Sequence, residues 1–158
     1  MRLLSEANLT ELLDAAVADA DPADVMPAVS GPPDWTEDRR RAFRDFHRAR
    51  SIATAEPAEV TYVITLDDRV IGAARLQPSA DSVEMGIWIG RSHRGRGIGR
   101  LVAAELLALA QQTDATWIVA STTSDNTAAQ QLLRDIGATL TTTDVAVDAV
   151  LDARRPHS

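Results

Sequence analysis

The sequence predicts a single mixed α/β domain whose sheet is mostly antiparallel. Two observations carry this prediction. Residues 59–90 have the pattern of three consecutive strands joined by short turns, and residues 83–122 have the pattern of strand, helix and strand around a glycine-rich turn. A chain of 158 residues that is 45% hydrophobic is long enough to bury one core.

The N-terminal part predicts two helices separated by a loop. Residues 8–20 (NLTELLDAAVADA) place leucine and alanine at helical spacing. A short strand at Arg2–Ser5, before this helix, is a further candidate element. Residues 21–34 carry four prolines and one glycine, which indicates a loop. Thr36 is expected to cap the second helix, TEDRRRAFRDFHRAR.

The rest of the chain predicts the sheet and two further helices. EVTYVITL and RVIGAARLQ are expected to form a hairpin around Asp67-Asp68, followed after a break at Pro78–Ser82 by the strand VEMGIWIG. The remaining segments are the helix GIGRLVAAELLALAQQ, the strand ATWIVAST, the helix NTAAQQLLRDIG closed by Gly137, and the strands ATLTTT and DVAVDAVL. The last two strands pair within the chain or across a homodimer. Residues 153–158 are expected to be a disordered tail.

Composition excludes several classes of protein. With no cysteine there is no disulfide or thiolate metal site, and with no lysine any lysine-dependent motif fails. No apolar run is long enough to span a bilayer and no signal peptide is recognisable, so a cytoplasmic protein without membrane contact is expected. The net charge of −7 argues against broad nucleic-acid binding and favours a cationic acceptor or partner.

The turn RSHRGRGIGR, residues 91–100, carries four arginines and three alternating glycines in this acidic chain. A glycine turn at the start of a helix presents several backbone N–H groups to an anion, aided by the helix dipole. A P-loop requires a lysine, and a dinucleotide fingerprint requires a third glycine where Arg100 stands. The sequence therefore predicts a different loop for binding a phosphate chain.

The chain resembles the GCN5-related N-acetyltransferases (GNAT). Residues 94–99 (RGRGIG) fit the family signature [RQ]xxGx[GA], and NTAAQQLLRDIGA matches the family pattern NxxAxxLxxxxGF in outline. VEMGIWIGRSHRGRGIG is similar to the ribosomal-protein acetyltransferase branch. The resemblance implies a central sheet of six to seven strands with about four helices, and acetyl-CoA as co-substrate. It also implies direct transfer of the acetyl group to an amine, on a small molecule or at a protein N-terminus.

The resemblance also implies the cofactor-binding residues. The pantetheine arm is expected beside the backbone of Ile87, Trp88 and Ile89. The pyrophosphate is expected on the loop amides and arginines, namely Arg94, Gly95, Arg96, Gly97, Ile98, Gly99 and Arg100. Asn126 is expected to contact the pantetheine arm; the alternative is that it only caps the following helix.

Glu84 lies where the family often has a general base, although a carboxylate that faces solvent or pairs with an arginine is an equal alternative. The usual positions of the general acid hold Leu133 and Ala129, so the acid is unassigned. Hydroxyls within the segment 121–124 (STTS) are candidates. These departures raise the alternative of a weak or inactive acyl-CoA sensor.

Trp35 is a candidate for the acceptor site, with a core anchor as the alternative. His47 and His93 stand apart from any cluster at metal-ligand spacing, so no metal is expected. An arginine cluster on the second helix is interpreted as a solvated face rather than an RNA-binding surface. Its members are Arg39, Arg40, Arg41, Arg44 and Arg48.

Overall fold

The computed structural model describes residues 1–154. Its five α-helices are α1 (Glu6–Asp19), α2 (Pro22–Val25), α3 (Glu37–His47), α4 (Ile98–Ala110) and α5 (Thr127–Asp135). Its seven strands are β1 (Arg2–Leu3), β2 (Val60–Leu66), β3 (Arg69–Ser79), β4 (Ser82–Ile89), β5 (Trp117–Thr123), β6 (Thr139–Thr142) and β7 (Ala146–Asp152). A π-helical turn, Arg48–Ile52, follows α3, and a 3₁₀ turn, Arg91–His93, follows β4. The predicted fold class is confirmed. The order of elements agrees with the prediction except for the short helix α2, which lies in the segment predicted to be a loop.

The seven strands form one sheet in the order β1-β2-β3-β4-β5-β7-β6. Every neighbouring pair is antiparallel except β4 and β5, which are parallel and joined through α4. The last two strands form a hairpin within the chain, and β7 pairs with β5. The register of β3 with β4 is unbroken from Gly72–Ile89 to Ser79–Ser82, whereas the sheet's irregularity lies in the pairing of β2 with β3, between Ile64 and Thr65.

Apolar side chains pack on both faces of the sheet. The stripe on α4, including the buried Val102 and Leu106, covers one face. On the other face α1 and α3 pack over β2 and β3, with Phe43 fully buried between them. This second layer covers the β1–β4 half of the sheet and includes α1, α3 and Trp88 of β4.

Local signals in the sequence account for the element ends. The Thr36 hydroxyl accepts a hydrogen bond from the Arg39 amide at 3.2 Å, as expected of a helix cap. Gly137 follows α5 with φ +91°, the left-handed conformation that glycine adopts at a helix C-terminus. Ala153 is buried in the core and its N–H donates to the Thr116 carbonyl, which corrects the expected start of the tail at residue 153. The rest of that predicted tail, residues 155–158, lies outside the described residues.

Candidate active site

β4 and β5 are paired over only three residue pairs, from Ser82–Trp117 to Glu84–Val119. Beyond Glu84 the two strands separate, although β4 runs on to Ile89 and β5 to Thr123. A cleft of about 640 Å³ occupies the split, with Ile87, Trp88 and Ile89 on one side and residues 120–123 on the other. The backbone of β4 facing the split therefore has no strand partner there.

The glycine turn forms one end of this cleft. Gly95 and Gly97 have φ of +71° and +78°, a conformation that L side chains rarely adopt, and Gly97 is the N-cap of α4. Within residues 1–154 the six backbone amides from Gly95 to Arg100 donate no hydrogen bond to another protein group. Six free donors at the positive end of a 13-residue helix suit an anion.

The arginines of the turn differ in what they contact. Arg91 pairs with Asp21 at 3.2 Å, Arg94 Nε donates to the Ile89 carbonyl at 2.9 Å, and Arg100 pairs with Asp135. Arg96 makes no hydrogen bond or ion pair with any residue in the described part of the chain. Within residues 1–154, Arg96 is therefore the arginine of this turn whose charge no carboxylate neutralises and whose N–H groups no carbonyl accepts.

Hydrogen bonds from the residues that precede the glycines hold the turn against the C-terminal end of α1. Asp19 accepts hydrogen bonds from the Ser92 amide (3.1 Å) and the Ser92 hydroxyl (2.5 Å), and it lies 3.4 Å from His93 Nδ1. Burial raises the pKa of the Asp19 carboxyl, but the bonds from Ser92 and His93 outweigh it, so the pKa lies below its ordinary value. A Cβ at Gly90 would lie 2.4 Å from the Asp19 carboxylate, so this contact requires glycine there.

Most of the cofactor-binding residues implied by the resemblance line the cleft. Arg96 and Gly97 are the two that do not. The residues that do are Ile87, Trp88, Ile89, Arg94, Gly95, Ile98, Gly99, Arg100 and Asn126. Asn126 Oδ1 also accepts from the Ala129 amide at 3.1 Å, so the capping interpretation is correct, and a pantetheine contact by its other polar atom stays a prediction.

A second cavity, of about 360 Å³, adjoins the cleft on the α3 side of the sheet. The residues that line both cavities are Ala23, Asp24, Gly86, Ile87, Trp88 and Ser121. Phe46, His47, Arg50, Glu59 and Arg75 line the smaller cavity alone. We call this second cavity the side pocket.

Hydroxyl candidates for the acid differ in position. Ser121 lines both cavities, Thr122 and Thr123 line the cleft alone, and the Ser124 hydroxyl donates to the Asp144 carbonyl away from both. Leu133 and Ala129 line the cleft without a hydroxyl. Ser121 is thus the hydroxyl at the junction of the two cavities.

Glu84 shares one face of β4 with Gly86 and Trp88, as the strand period predicts. Its Oε1 accepts a hydrogen bond from Arg75 Nη2 at 2.6 Å, and its side chain is 42% exposed. Glu84 lines neither cavity. Its interpretation as a partner of an arginine is therefore correct, and a role as base requires an intervening water or a shift of the carboxylate.

Trp35 is part of the second core rather than of a cavity wall. Its ring meets Phe43 edge-on at 5.7 Å and its Nε1 donates to the Ala20 carbonyl at 2.9 Å. It lines neither cavity, so the structure gives the substrate-binding interpretation no contact and favours the anchor.

Four of the five arginines in the cluster on and just after α3 form hydrogen bonds or ion pairs within the protein. Arg39 donates to the carbonyls of Val29 and Gly31, and Arg40 to that of Trp35, so they hold the proline-rich loop. Arg44 pairs with Glu37, and Arg48 pairs with Glu6 and Asp45. This corrects the expectation of one solvated face and removes the basis for an RNA-binding surface. Arg41 alone among them is exposed and has no partner among residues 1–154.

The side pocket is harder to predict from the sequence than the cleft is. Arg75 and Glu59 are charged residues within or beside apolar strands, and a charge in such a place signals a buried partner. That signal marks each residue as having a partner but does not show that they pair with each other, because Glu59 precedes β2 and Arg75 lies on β3.

A family model for the acetyltransferase (GNAT) domain matches residues 1–139. The chain belongs to the GNAT acetyltransferase family. No curated protein matches the sequence significantly. Groups of three or more metal-ligating side chains do not occur within residues 1–154, and no helix among them is long and apolar enough to cross a membrane.

Solved structures of other GNAT proteins share the fold. A spermidine N-acetyltransferase SpeG chimera from Vibrio cholerae and hSSAT superimposes with a TM-score of 0.70 at 17% identity, over 96% of this chain and 95% of that one. A ribosomal-protein-alanine N-acetyltransferase from Brucella melitensis does so with 0.66 at 20% identity, over 96% and 98%. The N-acetyltransferase PseH from Campylobacter jejuni, in complex with acetyl coenzyme A, gives 0.57 at 17% identity, over 73% and 78%.

Proposed function

We propose that this GNAT protein transfers an acetyl group from acetyl-CoA to a primary amine by direct attack within a ternary complex. The observation that carries the proposal is the run of free amides from Gly95 to Arg100 at the end of a cleft that opens between β4 and β5. A phosphate chain on these amides leads its attached arm into the split, where the unpaired edge of β4 offers backbone hydrogen bonds.

The chemistry of the cleft and of its glycine turn supports coenzyme A as the ligand. The free N–H groups of the turn suit phosphates, with the unpaired Arg96 beside the cleft rather than on its wall. Ile87, Ile89 and Leu132 provide apolar walls farther along the cleft. Asn126 adds a polar group to the wall beside α5. An N–H on the open edge of β4 is proposed to polarise the thioester carbonyl in the transition state.

The amine is proposed to approach from the side pocket, because this pocket meets the cleft at Gly86, Trp88 and Ser121. Its nitrogen attacks the thioester carbon, the carbon–sulfur bond breaks, and the coenzyme leaves as a thiol. No residue becomes acylated, and the chain has no cysteine to carry the acetyl group. Glu84, through water, is proposed to take the proton from the amine, and Ser121 to give one to the departing sulfur.

Two measurements test this proposal. Calorimetry with coenzyme A is expected to show saturable binding, and thiol release from acetyl-CoA is expected to depend on an added amine. Absence of coenzyme A binding contradicts the whole proposal. Amine-independent thiol release contradicts direct transfer, because it indicates simple hydrolysis.

A catalytically weak acyl-CoA sensor is a second candidate. The observation that favours it is the absence of a hydroxyl at Ala129 and Leu133, both of which line the cleft. The sensor predicts tight coenzyme A binding without turnover across a broad panel of amines, whereas the enzyme predicts turnover with a subset of them.

A further inference from the structure

The side pocket is lined by two guanidinium groups held together by one buried carboxylate. Glu59 Oε2 lies 3.3 Å from Arg50 Nη2 and 3.5 Å from Arg75 Nη1. The Glu59 side chain is 1% exposed, whereas those of Arg50 and Arg75 are 31% and 34% exposed. The carboxylate therefore lies behind the two cations, and the cations form the accessible surface.

Local structure keeps both guanidiniums in place. Arg50 lies on the π-helical turn, where its guanidinium stands 5.4 Å from the centre of the Phe46 ring. Arg75 lies across Gly86, since a Cβ there would be 3.0 Å from Arg75 Nε. Its Nη1 also donates to Gln77 at 2.9 Å. A guanidinium fixed on several sides loses little further freedom when it binds a ligand.

The pair keeps donors for a ligand. A guanidinium has five N–H donors. Arg50 gives one of them to Glu59 through Nη2, and its Nη1 forms no hydrogen bond within the described residues. Its Nε also lacks a partner there, but that atom is buried. Arg50, Arg75 and Glu59 sum to a charge of +1 on the pocket wall. Glu84 lines neither cavity but pairs with Arg75 at 2.6 Å and balances that charge, so the binding of a ligand depends on free N–H donors rather than on net charge.

The opposite charge lies at the junction with the cleft. Asp24 lines both cavities, as Ser121 does, whereas Arg50 lines the side pocket alone. A molecule with an amine at one end and an anion at the other thus meets an acid where the acetyl group would be transferred and guanidiniums farther in.

We propose that the acceptor is a small amine that also carries a carboxylate, which Arg50 and Arg75 bind while the amine lies toward Asp24 and Ser121. This inference rests on the proposed acetyltransferase function. It differs from the cationic acceptor that the net charge of the chain suggests, because a polyamine would place ammonium groups against two guanidiniums. Arg50 and Arg75 are then specificity-determining residues for the carboxylate.

Matched acceptors test the proposal. The twenty common amino acids and their carboxamides, together with spermidine and putrescine, are assayed by thiol release from acetyl-CoA. Rates are compared at equal concentrations of neutral amine, because amidation lowers the pKa of the amine. At least one amino acid is expected to exceed its carboxamide and both polyamines in kcat/KM by about tenfold to a hundredfold, the usual worth of charged hydrogen bonds. Equal rates with carboxamides, or a preference for polyamines, overturn the proposal.

Variants locate the effect. Arg50→Met is expected to remove the preference for the carboxylate, whereas Arg41→Met, an exposed arginine on α3 without a partner among residues 1–154, keeps it. Arg50→Lys keeps the charge but not the forked geometry and is expected to retain part of the preference. Coenzyme A affinity equal to that of the unmodified protein verifies that each variant is folded. A preference unchanged in Arg50→Met and in Arg75→Gln overturns the assignment.

Binding without turnover gives an independent result. The protein saturated with coenzyme A is titrated with the same amino acids and carboxamides by thermal shift. Protection by a carboxylate and not by its amide, lost in Arg50→Met, supports the proposal even if no acceptor turns over. When coenzyme A binds and no carboxylate either reacts or protects, this inference is overturned while the proposed cofactor site stands. When coenzyme A fails to bind, the proposed function itself falls, and this inference with it.

Discussion

Glu84 on β4 and Val119 on β5 form the last residue pair before these two strands separate. On one side β4 stays paired with β3 as far as Ile89, and on the other β5 stays paired with β7 as far as Thr123. The sheet therefore consists of two antiparallel parts joined by three parallel pairs. Since each strand is held by its outer neighbour, the split between them keeps its shape without a ligand.

Gly97→Asp is expected to abolish tight coenzyme A binding. Gly97 has φ +78° and an ideal Cβ there meets nothing within 4 Å, so the added carboxylate stands in open space beside the free amides. A negative charge at this point repels phosphate and competes for the same donors. Calorimetry is expected to show a dissociation constant raised by at least about tenfold relative to Gly97→Asn.

Gly97→Asn is the matched control for that charge. Asparagine has nearly the shape of aspartate and is among the residues that best tolerate a left-handed backbone. It therefore carries the same backbone strain without the negative charge. Equal coenzyme A affinities for the two variants would contradict binding of a phosphate chain at this turn.

The cleft was largely predictable because its parts are local in the sequence. The spacing of the glycines in residues 91–100 predicts the turn. The flanking strand and helix are predicted by apolar residues that recur with periods of 2 and 3.6 residues. Local patterns do not predict the contact between Asp19 of α1 and Ser92, which holds the turn in place. Asp19 lies 73 residues from Ser92, and nothing in the helical pattern of α1 distinguishes it from the other acids there.

Ser121→Ala is expected to lower kcat for acetyl transfer while leaving the KM for acetyl-CoA nearly unchanged. Ser121 carries the hydroxyl that lines both cavities, so its loss removes the proposed proton donor to the thiolate. Thiolates leave readily, so we expect about a tenfold to hundredfold decrease, at the low end of general acid catalysis.

Ser124→Ala serves as the control for Ser121, because the Ser124 hydroxyl lines neither cavity and donates to Asp144. Steady-state kinetics with a saturating acceptor separates the two variants. A Ser121→Ala enzyme with unchanged kcat would exclude this hydroxyl as the acid.

Glu59 and Glu84 both contact the Arg75 guanidinium, but neutralising them is expected to change the stability of the protein by different amounts. Glu59 is 1% exposed and holds Arg50 and Arg75, so Glu59→Gln leaves two cations without their buried counter-charge. We expect it to lower the free energy of unfolding by about 3 kcal/mol. Glu84 is 42% exposed, and Glu84→Gln is expected to cost less than about 1 kcal/mol.

Although Glu84→Gln is expected to cost little stability, it is expected to have a large effect on kcat. If Glu84 takes the proton from the amine, Glu84→Gln lowers kcat by about a hundredfold or more at neutral pH with little change in stability. Urea unfolding and kcat measured on the same two variants test both statements. A Glu84→Gln protein with the kcat of the unmodified enzyme assigns Glu84 to the positioning of Arg75 alone.

The side pocket shows where sequence reasoning stops. Strand periodicity places Arg75 and Glu84 on one face, but α3 and the turn after it decide what covers that face. Arg50 and Glu59 meet through a π-helical turn whose residues show no periodic signal. The negative charge of the whole chain favours a cationic acceptor, whereas the side pocket presents Arg50 and Arg75 in addition to the acidic Asp24.

His47 is expected to make the protein sensitive to mild acid. Burial lowers the pKa of His47 to about 4, both ring nitrogens lack a partner within residues 1–154, and the ring packs edge-on against Phe43 at 4.5 Å. Asp24, Arg50 and Glu59 line the same pocket. Since the folded-state pKa lies below the unfolded value of 6.5, the unfolded chain binds the proton first. The stabilising effect of a neutral His47 is complete above pH 6.5 and is lost as the pH falls toward 4.

His47→Phe removes this titration and loses no protein hydrogen bond. We expect its free energy of unfolding to match or exceed that of the unmodified protein at pH 8, and to exceed it by about 2 kcal/mol more at pH 4.5, given about 1.4 kcal/mol per pH unit. Urea unfolding at several pH values measures the difference, and the comparison cancels the carboxylates that titrate in both proteins. Parallel stability profiles for the two proteins between pH 8 and pH 4.5 would show that His47 accepts its proton in the folded state, through a shift that exposes the ring to water.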